Sequence, residues 1–347
     1  MKIGLIRLDK IGDLVCTLPV DEVPWLEGHR IRWVISQGMG FIAANSVPGR
    51  RFTQLNKDTP WASFRVLRQY LREEKFDFIV SFQAPWWVSL AAWLEKVPVR
   101  AGVLSQWHSF LFLNRALRQK RSRAEKHEAD YNLDLLAYAL NKNPQSLPER
   151  PSARVVEGDK ANALFTRVPH MRLRAPTLPD VQERLTLAHR SYVVVHPGMA
   201  GSALNWPQKN YVALIRELSN HHTVTITGTP ADEPWLGDIR AGLQGVNNVL
   251  WLVGQVTPVE LLGVLEQSRL VIAPSTGVAH LAAALGKPVL CFFSPVRVQR
   301  AQRWAPRGEK IVCLSPEGFF EKADGALTSM EKITLDQVLE EARRLLP

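Results

Sequence analysis

The chain has 347 residues, 46% hydrophobic and 22% charged, with a formal net charge of +10. That length exceeds what one hydrophobic core usually serves, so two domains are expected, and the composition excludes a disordered or low-complexity protein. No apolar run reaches the length of a membrane span or signal-peptide core, and Cys16, Cys291 and Cys313 make neither a metal spacing nor a disulfide framework, so a reducing, cytoplasmic setting is expected.

Residues 2–7 read as a strand, followed by a turn ending at Gly12-Asp13 and a helix with an early Pro19. Residues 30–36 alternate as a second strand, and 61–74 have helical periodicity. Residues 76–82 form an apolar strand, and a helix follows Ala84-Pro85-Trp86-Trp87 to about Glu95. A short strand at 99–103 and a helix at 129–140 close the first half. Residues 144–179 are proline-rich and poorly periodic, and read as the linker region with one outlying strand or helix. The rhythm then restarts with a strand at 192–196, a helix at 208–218, a strand at 223–227 ending in Gly228, and a strand at 248–253. The capping box Thr257-Pro258-Val259-Glu260 opens a helix that runs to about Gln267. Strands at 269–273 and 288–293 bracket Ser275-Thr276-Gly277-Val278-Ala279-His280 and the helix it starts. The chain ends in an amphipathic helix, 335–346, with Thr334 as N-cap. Strand–helix alternation implies parallel sheets covered on both faces. The expected class is α/β, with domains at 1–170 and 171–347 facing a cleft.

Four segments carry chemistry. Asp13 lies near a helix start, where a carboxylate is stabilised; it reads either as a cap or as a general base for a sugar hydroxyl. Arg7, Asp9, Lys10 and Gly12 make that loop polar, glycine-turned and suited to an anionic acceptor. The Ser275-Thr276-Gly277 turn sits where an open α/β sheet binds ligands, at a helix N-terminus that favours phosphate. His280 reads as a donor to a phosphate or ribose oxygen, or as a residue fixing the loop. His196-Pro197-Gly198 with Ser202, Asn205 and Trp206 permits close approach by a ligand, or is an ordinary glycine-rich connection over a buried tryptophan. The turn from Gly228 to Glu233 offers a carboxylate to ribose hydroxyls, or an acidic helix start. Neither a Walker A loop nor a dinucleotide fingerprint is present.

Residues 115–123 concentrate five basic side chains after the aromatic stretch 107–113. They read as a solvated helix end and loop, or as a surface resting on anionic lipid. No recognition motif points to nucleic acid.

Together these pieces resemble glycosyltransferase family 9, the lipopolysaccharide heptosyltransferase family. The resemblance rests on Arg7 to Asp13 with Leu18-Pro19, His127-Glu128, His196-Pro197-Gly198, Asn205-Trp206-Pro207 and Gly228 with Glu233. It continues through Ser275 to Pro288, Ser294-Pro295 and Trp304-Ala305-Pro306. It implies a GT-B fold of two Rossmann-like domains, with the acceptor on the first and the nucleotide sugar on the second. It further implies inverting, metal-independent transfer without a cofactor, with ADP-heptose as donor and Asp13 as base. A phosphorylated glycolipid would be the acceptor, with the protein peripheral at the cytoplasmic face of the inner membrane. Two positions depart from the pattern. Leu204 stands where many members carry a cation, and Ser275 where many carry an aspartate. Arg297, Arg300 or Arg303 is expected to supply the missing charge. Another nucleotide sugar, or a catalytically silent binding protein, are the alternative readings.

Overall fold

The computed structural model describes the chain except residues 188–190, 200, 202, 327 and 347. In the first half, six strands line up as β1 (Lys2–Arg7), β2 (Arg30–Ser36), β3 (Phe52–Leu55), β4 (Phe78–Gln83), β5 (Val99–Val103) and β6 (Arg115–Leu117). Their spatial order is β3-β2-β1-β4-β5-β6, and every pairing is parallel. A parallel sheet is covered on both faces, so its central strands must be apolar throughout. Ile3, Leu5 and Ile6 of β1 are accordingly fully buried. Helices Pro60–Glu74, Trp86–Leu94 and Trp107–Phe112 pack side by side as one group. Helices Ile11–Thr17 and Glu128–Leu140 pack against each other as a second group.

The second sheet contains β7 (Arg150–Glu157), β8 (Lys160–Thr166), β9 (Tyr192–Val195), β10 (Thr223–Ile226), β11 (Val249–Trp251), β12 (Leu270–Pro274), β13 (Val289–Phe292) and β14 (Ile311–Ser315). Its order is β11-β10-β9-β12-β13-β14-β7-β8. The run Tyr192–Val195 is buried at every residue, as a central strand demands. Its core gathers Trp206, Tyr211 and Phe292, with Trp206 stacked on Phe292 at 4.7 Å between ring centres. The Trp206 indole N–H donates to the Ile333 carbonyl, so its polar atom is satisfied inside the core.

The chain divides into two units: Met1–Arg121, Glu125–Arg150 and Thr166–Met171, and Ser122–Ala124, Pro151–Phe165 and Arg172–Pro347. The segment read as linker supplies two strands, β7 and β8, to the second sheet, so 151–165 belong with the second unit. Strands β3, β6 and β14 were also not expected. The first two are short edge elements, which a period-two pattern cannot mark over three or four residues. Cys291 and Cys313, distant in sequence, are register partners on β13 and β14, with sulfurs 3.6 Å apart as free, buried thiols.

In each sheet the strand order reverses at one place, between β1 and β4 and between β9 and β12. Ligands of open α/β sheets bind outside the strands' carboxyl ends at such switch points. Asp13 lies beyond β1, and the loops of His196 and Ser275 lie beyond β9 and β12.

Candidate active site

Arg7 is the last residue of β1, and its side chain is only 1% exposed. A buried guanidinium needs charge partners, and three carboxylates surround it: Asp13 and Glu128 accept hydrogen bonds, while Asp9 forms an ion pair without hydrogen-bond geometry. Asp13 Oδ1 lies 2.5 Å from Nη2, Glu128 Oε1 3.3 Å from Nη1 and Asp9 Oδ2 2.9 Å from Nε. Burial alone would lower the Arg7 pKa, but Asp13, Glu128 and Asp9 overcome it and raise it above its ordinary value. Asp9 moves upward as well. Its own burial is the largest cause, and Asp13 and Glu128 add to it against the pull of Arg7 and Lys57.

The contacts continue into a closed ring. Arg121 Nη1 donates to the same Glu128 oxygen at 2.5 Å, and Nη2 donates to Asn132 Oδ1 at 3.1 Å. Asn132 Nδ2 donates to Thr17 Oγ1 at 2.9 Å, and the Thr17 hydroxyl donates to the Asp13 carbonyl at 2.6 Å. Asp13 is therefore held at its carboxylate through Arg7 and at its backbone through Thr17. Its other carboxylate oxygen takes no hydrogen bond from a described residue, and the side chain keeps 21% of its surface exposed.

These positions correct two expectations. Arg7 faces carboxylates rather than an anionic acceptor, because burial makes the guanidinium seek charge inside the fold. Gly12 is the second residue of helix Ile11–Thr17, not the hinge of a tight turn. Asp9 and Lys10 do lie on the loop beside Asp13, Lys10 exposed and Asp9 against Arg7. Glu128, Arg121 and Asn132 were not singled out as site residues. Their only sequence signal was His127-Glu128 at a helix start, because the ring joins residues more than 100 positions apart.

In the second unit, the loops after β9 and β10 come together. A side-chain carbon added to Gly198 would lie 2.4 Å from Asp232 Cγ, so glycine is what allows this approach. Asp232 is buried, and its Oδ2 accepts from the Thr229 N–H and hydroxyl at 2.9 and 2.8 Å. Glu233, the expected carboxylate, starts helix Glu233–Gly242, is exposed, and pairs with Arg240 at 2.8 Å. The buried acid behind Gly228 is thus Asp232. Asn205 is also committed internally: it donates to the Pro197 carbonyl at 2.7 Å and accepts from Trp206 N and the Tyr211 hydroxyl. Its visible role is to pin the loop. Ser202 lies outside the described residues.

His196 is buried and bonds Thr227 Oγ1 through Nδ1 at 3.0 Å. Burial lowers its pKa to about 4 despite the nearby Asp232 charge, so it is neutral at neutral pH. A pocket of about 480 Å³ opens here, with Met199, Leu204, Trp206, Gln208, Asp232 and Trp235 among its walls. Leu204 packs partly into the core, and its N–H reaches Gln299 Oε1 at 3.4 Å. The 297–299 turn therefore lies beside it. Arg297 pairs with Glu321, Arg300 with Glu157 at 2.7 Å, and Arg303 lies over the Trp304 ring.

Beyond β12, Thr276 caps helix Gly277–Ala284 without making a side-chain bond to it. Its hydroxyl oxygen is buried and has no hydrogen-bond partner among the described residues. An orphaned buried hydroxyl is unusual, and this one stands at a helix start, where the first N–H groups lack intrahelical partners. Ser275 and Gly277 flank it half-buried, and His280 is buried one turn into the helix. These residues do not line the pocket beside Asp232 but stand at the neighbouring switch point. Among the described residues no group of three or more His, Cys, Asp or Glu is placed to hold a metal ion.

Known proteins with related sequences and folds share this organisation. The sequence model for "Glycosyltransferase family 9 (heptosyltransferase)" matches residues 64–328. A Haemophilus influenzae protein described as a candidate glycosyltransferase is 28% identical, over 98% of this chain and 95% of its own. A family 9 glycosyl transferase from Veillonella parvula superposes with a TM-score of 0.77 at 16% identity, covering 99% of this chain and 97% of that one. The E. coli ADP-heptose lipopolysaccharide heptosyltransferase II gives 0.76 at 19% identity, covering 100% and 98%. The two-domain plan of mostly parallel, helix-flanked sheets is the one those structures have. The chain belongs to glycosyltransferase family 9, the heptosyltransferase family.

Proposed function

We propose that this enzyme transfers heptose from ADP-heptose to the phosphorylated core of lipopolysaccharide, with inversion and without a metal. The second unit takes the donor, and the first, with Asp9 and Lys10 at its loop, takes the acceptor. The observation that carries the reading is the ring around Asp13, which leaves one carboxylate oxygen without a bond from any described residue. That oxygen removes the proton from the acceptor hydroxyl. The hydroxyl oxygen forms its bond to the anomeric carbon as the bond from that carbon to the diphosphate breaks, and ADP leaves with the electron pair. The N–H groups at the start of helix Gly277–Ala284, the Thr276 hydroxyl and His280 receive the charge that develops on the diphosphate. The loops of Gly198 and Gly228, with Ser202, Asn205, Glu233 and Ser275, shape the rest of the donor site. The work is done at the cytoplasmic face of the inner membrane.

Calorimetry with ADP-, GDP-, UDP- and CMP-sugars tests the donor, and ADP-heptose should bind above the others. Asp13→Asn should lower turnover by about 10²–10⁴-fold while leaving ADP affinity within about twofold. Turnover that survives the change removes Asp13 from the mechanism.

Leu204 and Ser275 favour a second reading, in which the donor is a different nucleotide sugar. A leucine packed into the core brings no charge to a diphosphate, and serine binds sugar hydroxyls less strongly than a carboxylate. For Arg297 or Arg300 to supply the cation, it must exchange Glu321 or Glu157 for the diphosphate. Alanine at Arg297, Arg300 or Arg303 should then weaken ADP binding; unchanged binding by all three variants ends that substitution of roles. Donor binding without transfer to any core acceptor would favour a silent binding protein.

A further inference from the structure

We propose that the face built by helices Pro60–Glu74, Trp86–Leu94 and Trp107–Phe112 docks on an anionic phospholipid bilayer; this rests on the reading of a lipid-linked acceptor. Twelve large hydrophobic side chains are exposed among the described residues, and seven of them lie on these three helices. Trp61 is 67% exposed, Trp93 46%, Trp107 61%, Phe110 60% and Leu111 63%. Single exposed hydrophobics are ordinary, whereas a connected set marks an interaction surface. The three helices pack side by side, and ring contacts form two groups along them. Trp61 meets Trp86 at 6.1 Å, and Trp93 and Trp107 both meet Phe112, at 5.6 and 6.3 Å.

The chemistry selects lipid as the occupant. Tryptophan concentrates where one end of a ring is apolar and the other wet, as at a membrane interface. Basic side chains border the same helices: Arg65, Lys96, Arg118 and Lys120 are all exposed. The neighbouring Glu95 is taken by Arg68 and Arg72, at 2.6 and 2.8 Å, so it does not cancel that rim. A cationic rim around aromatic side chains complements an anionic headgroup layer. Arg121, part of the basic segment read either as solvated or as resting on lipid, is locked in the ring with Glu128. Trp61, Trp86 and Trp107 each stand in the first turn of the helix that follows β3, β4 or β5. The aromatic face therefore begins at the same sheet edge as Asp13, where a lipid-anchored sugar would have to arrive.

The test is flotation of the full chain with phosphatidylcholine vesicles and with vesicles that also contain phosphatidylglycerol. The parent should bind the anionic vesicles. Trp107→Ser with Phe110→Ser and Leu111→Ser should weaken that binding by at least about tenfold. Lys96→Gln with Arg118→Gln and Lys120→Gln should remove the preference for the anionic lipid. Tyr138→Ser with Phe165→Ser, exposed hydrophobics elsewhere, should bind like the parent. Equal vesicle binding by the aromatic triple variant and the parent overturns the proposal. So does lipid-free self-association that the triple variant abolishes, which would make the face a contact between copies. Transfer to a soluble, delipidated acceptor separates the two readings. It should stay within about twofold of the parent in every variant. Its absence in the parent would undo the catalytic reading and leave the vesicle result standing.

Discussion

At Asp13 the carboxylate meets Arg7 at 2.5 Å while the backbone carbonyl receives the Thr17 hydroxyl at 2.6 Å. Arg7 is thereby a positioning residue in the proposed mechanism: its guanidinium is enclosed by three carboxylates of its own fold and holds Asp13 in place. Replacing it by methionine leaves Asp9 and Asp13 without their cation and Glu128 with Arg121 alone. Removing one member of a buried ion network costs about 3–5 kcal/mol. Arg7→Met should therefore lower the urea midpoint, and Arg7→Lys should recover part of it by keeping the charge without the fork geometry. In Arg7→Lys, kcat should fall while the donor KM stays near the parent value. A fall in stability with unchanged kcat would reduce Arg7 to a structural role. The sequence marked Asp13 and Arg7 as neighbours on one loop. It gave no sign that Arg7 is consumed by three carboxylates, because Glu128 arrives from a helix 121 positions away.

Among the elements, the β9 and β10 loops meet at a contact only glycine permits. Gly198→Ala would press a methyl onto Asp232 Cγ and Oδ1 at 2.4 Å. The Asp232 carboxylate also caps the Thr229 turn, so it cannot move without releasing those bonds. The cost should be about 1–3 kcal/mol, the usual range for overpacking, read as a lower thermal midpoint with weaker ADP binding. Parent-like values for both would show that Asp232 has room to swing away. At this scale the long apolar strands, the Thr257 capping box and the Thr334 N-cap were legible, and both caps form, Thr334 as a full box with Gln337. The short edge strands β3 and β6 were not, because pairing defines them more than composition does, and β14, an apolar run of five residues, was overlooked.

For the whole molecule, two predictions follow from how the sheets are assembled. The second sheet draws β7 and β8 from residues 150–166, so a fragment beginning at residue 172 should fold poorly. It would leave β14, buried at every position, as a bare edge. A fragment beginning at residue 144 should show a cooperative melt; equal behaviour of the two would show that β7 and β8 are dispensable. The second prediction concerns acid. The folded chain holds His196 at about 4, below its ordinary 6.5. Above pH 6.5 the residue is neutral folded or unfolded, and its contribution is fully kept. As pH falls, the unfolded chain takes a proton that the fold excludes, so stability drains away down to about pH 4, by roughly 3 kcal/mol. Urea midpoints measured between about pH 7 and about pH 4.5 should fall, and His196→Gln should flatten the trend. An equal fall in that variant would assign the acid sensitivity to other groups.

The sequence by itself determined the α/β alternation, the two-part organisation and the strand-end loops. These are written in local periodicity, glycine placement and helix caps, each readable within a dozen residues. The family resemblance followed from the order of those loops along the chain. Only the tertiary structure decided what each loop residue faces. It turned Arg7 inward, exchanged Glu233 for Asp232 as the buried acid, and spent Asn205 on its own loop. It also left the Thr276 hydroxyl without a partner among the described residues and placed three exposed tryptophans on three neighbouring helices. A side chain's polarity is a local property, but its partner is set by burial, and burial depends on segments that lie far away in sequence.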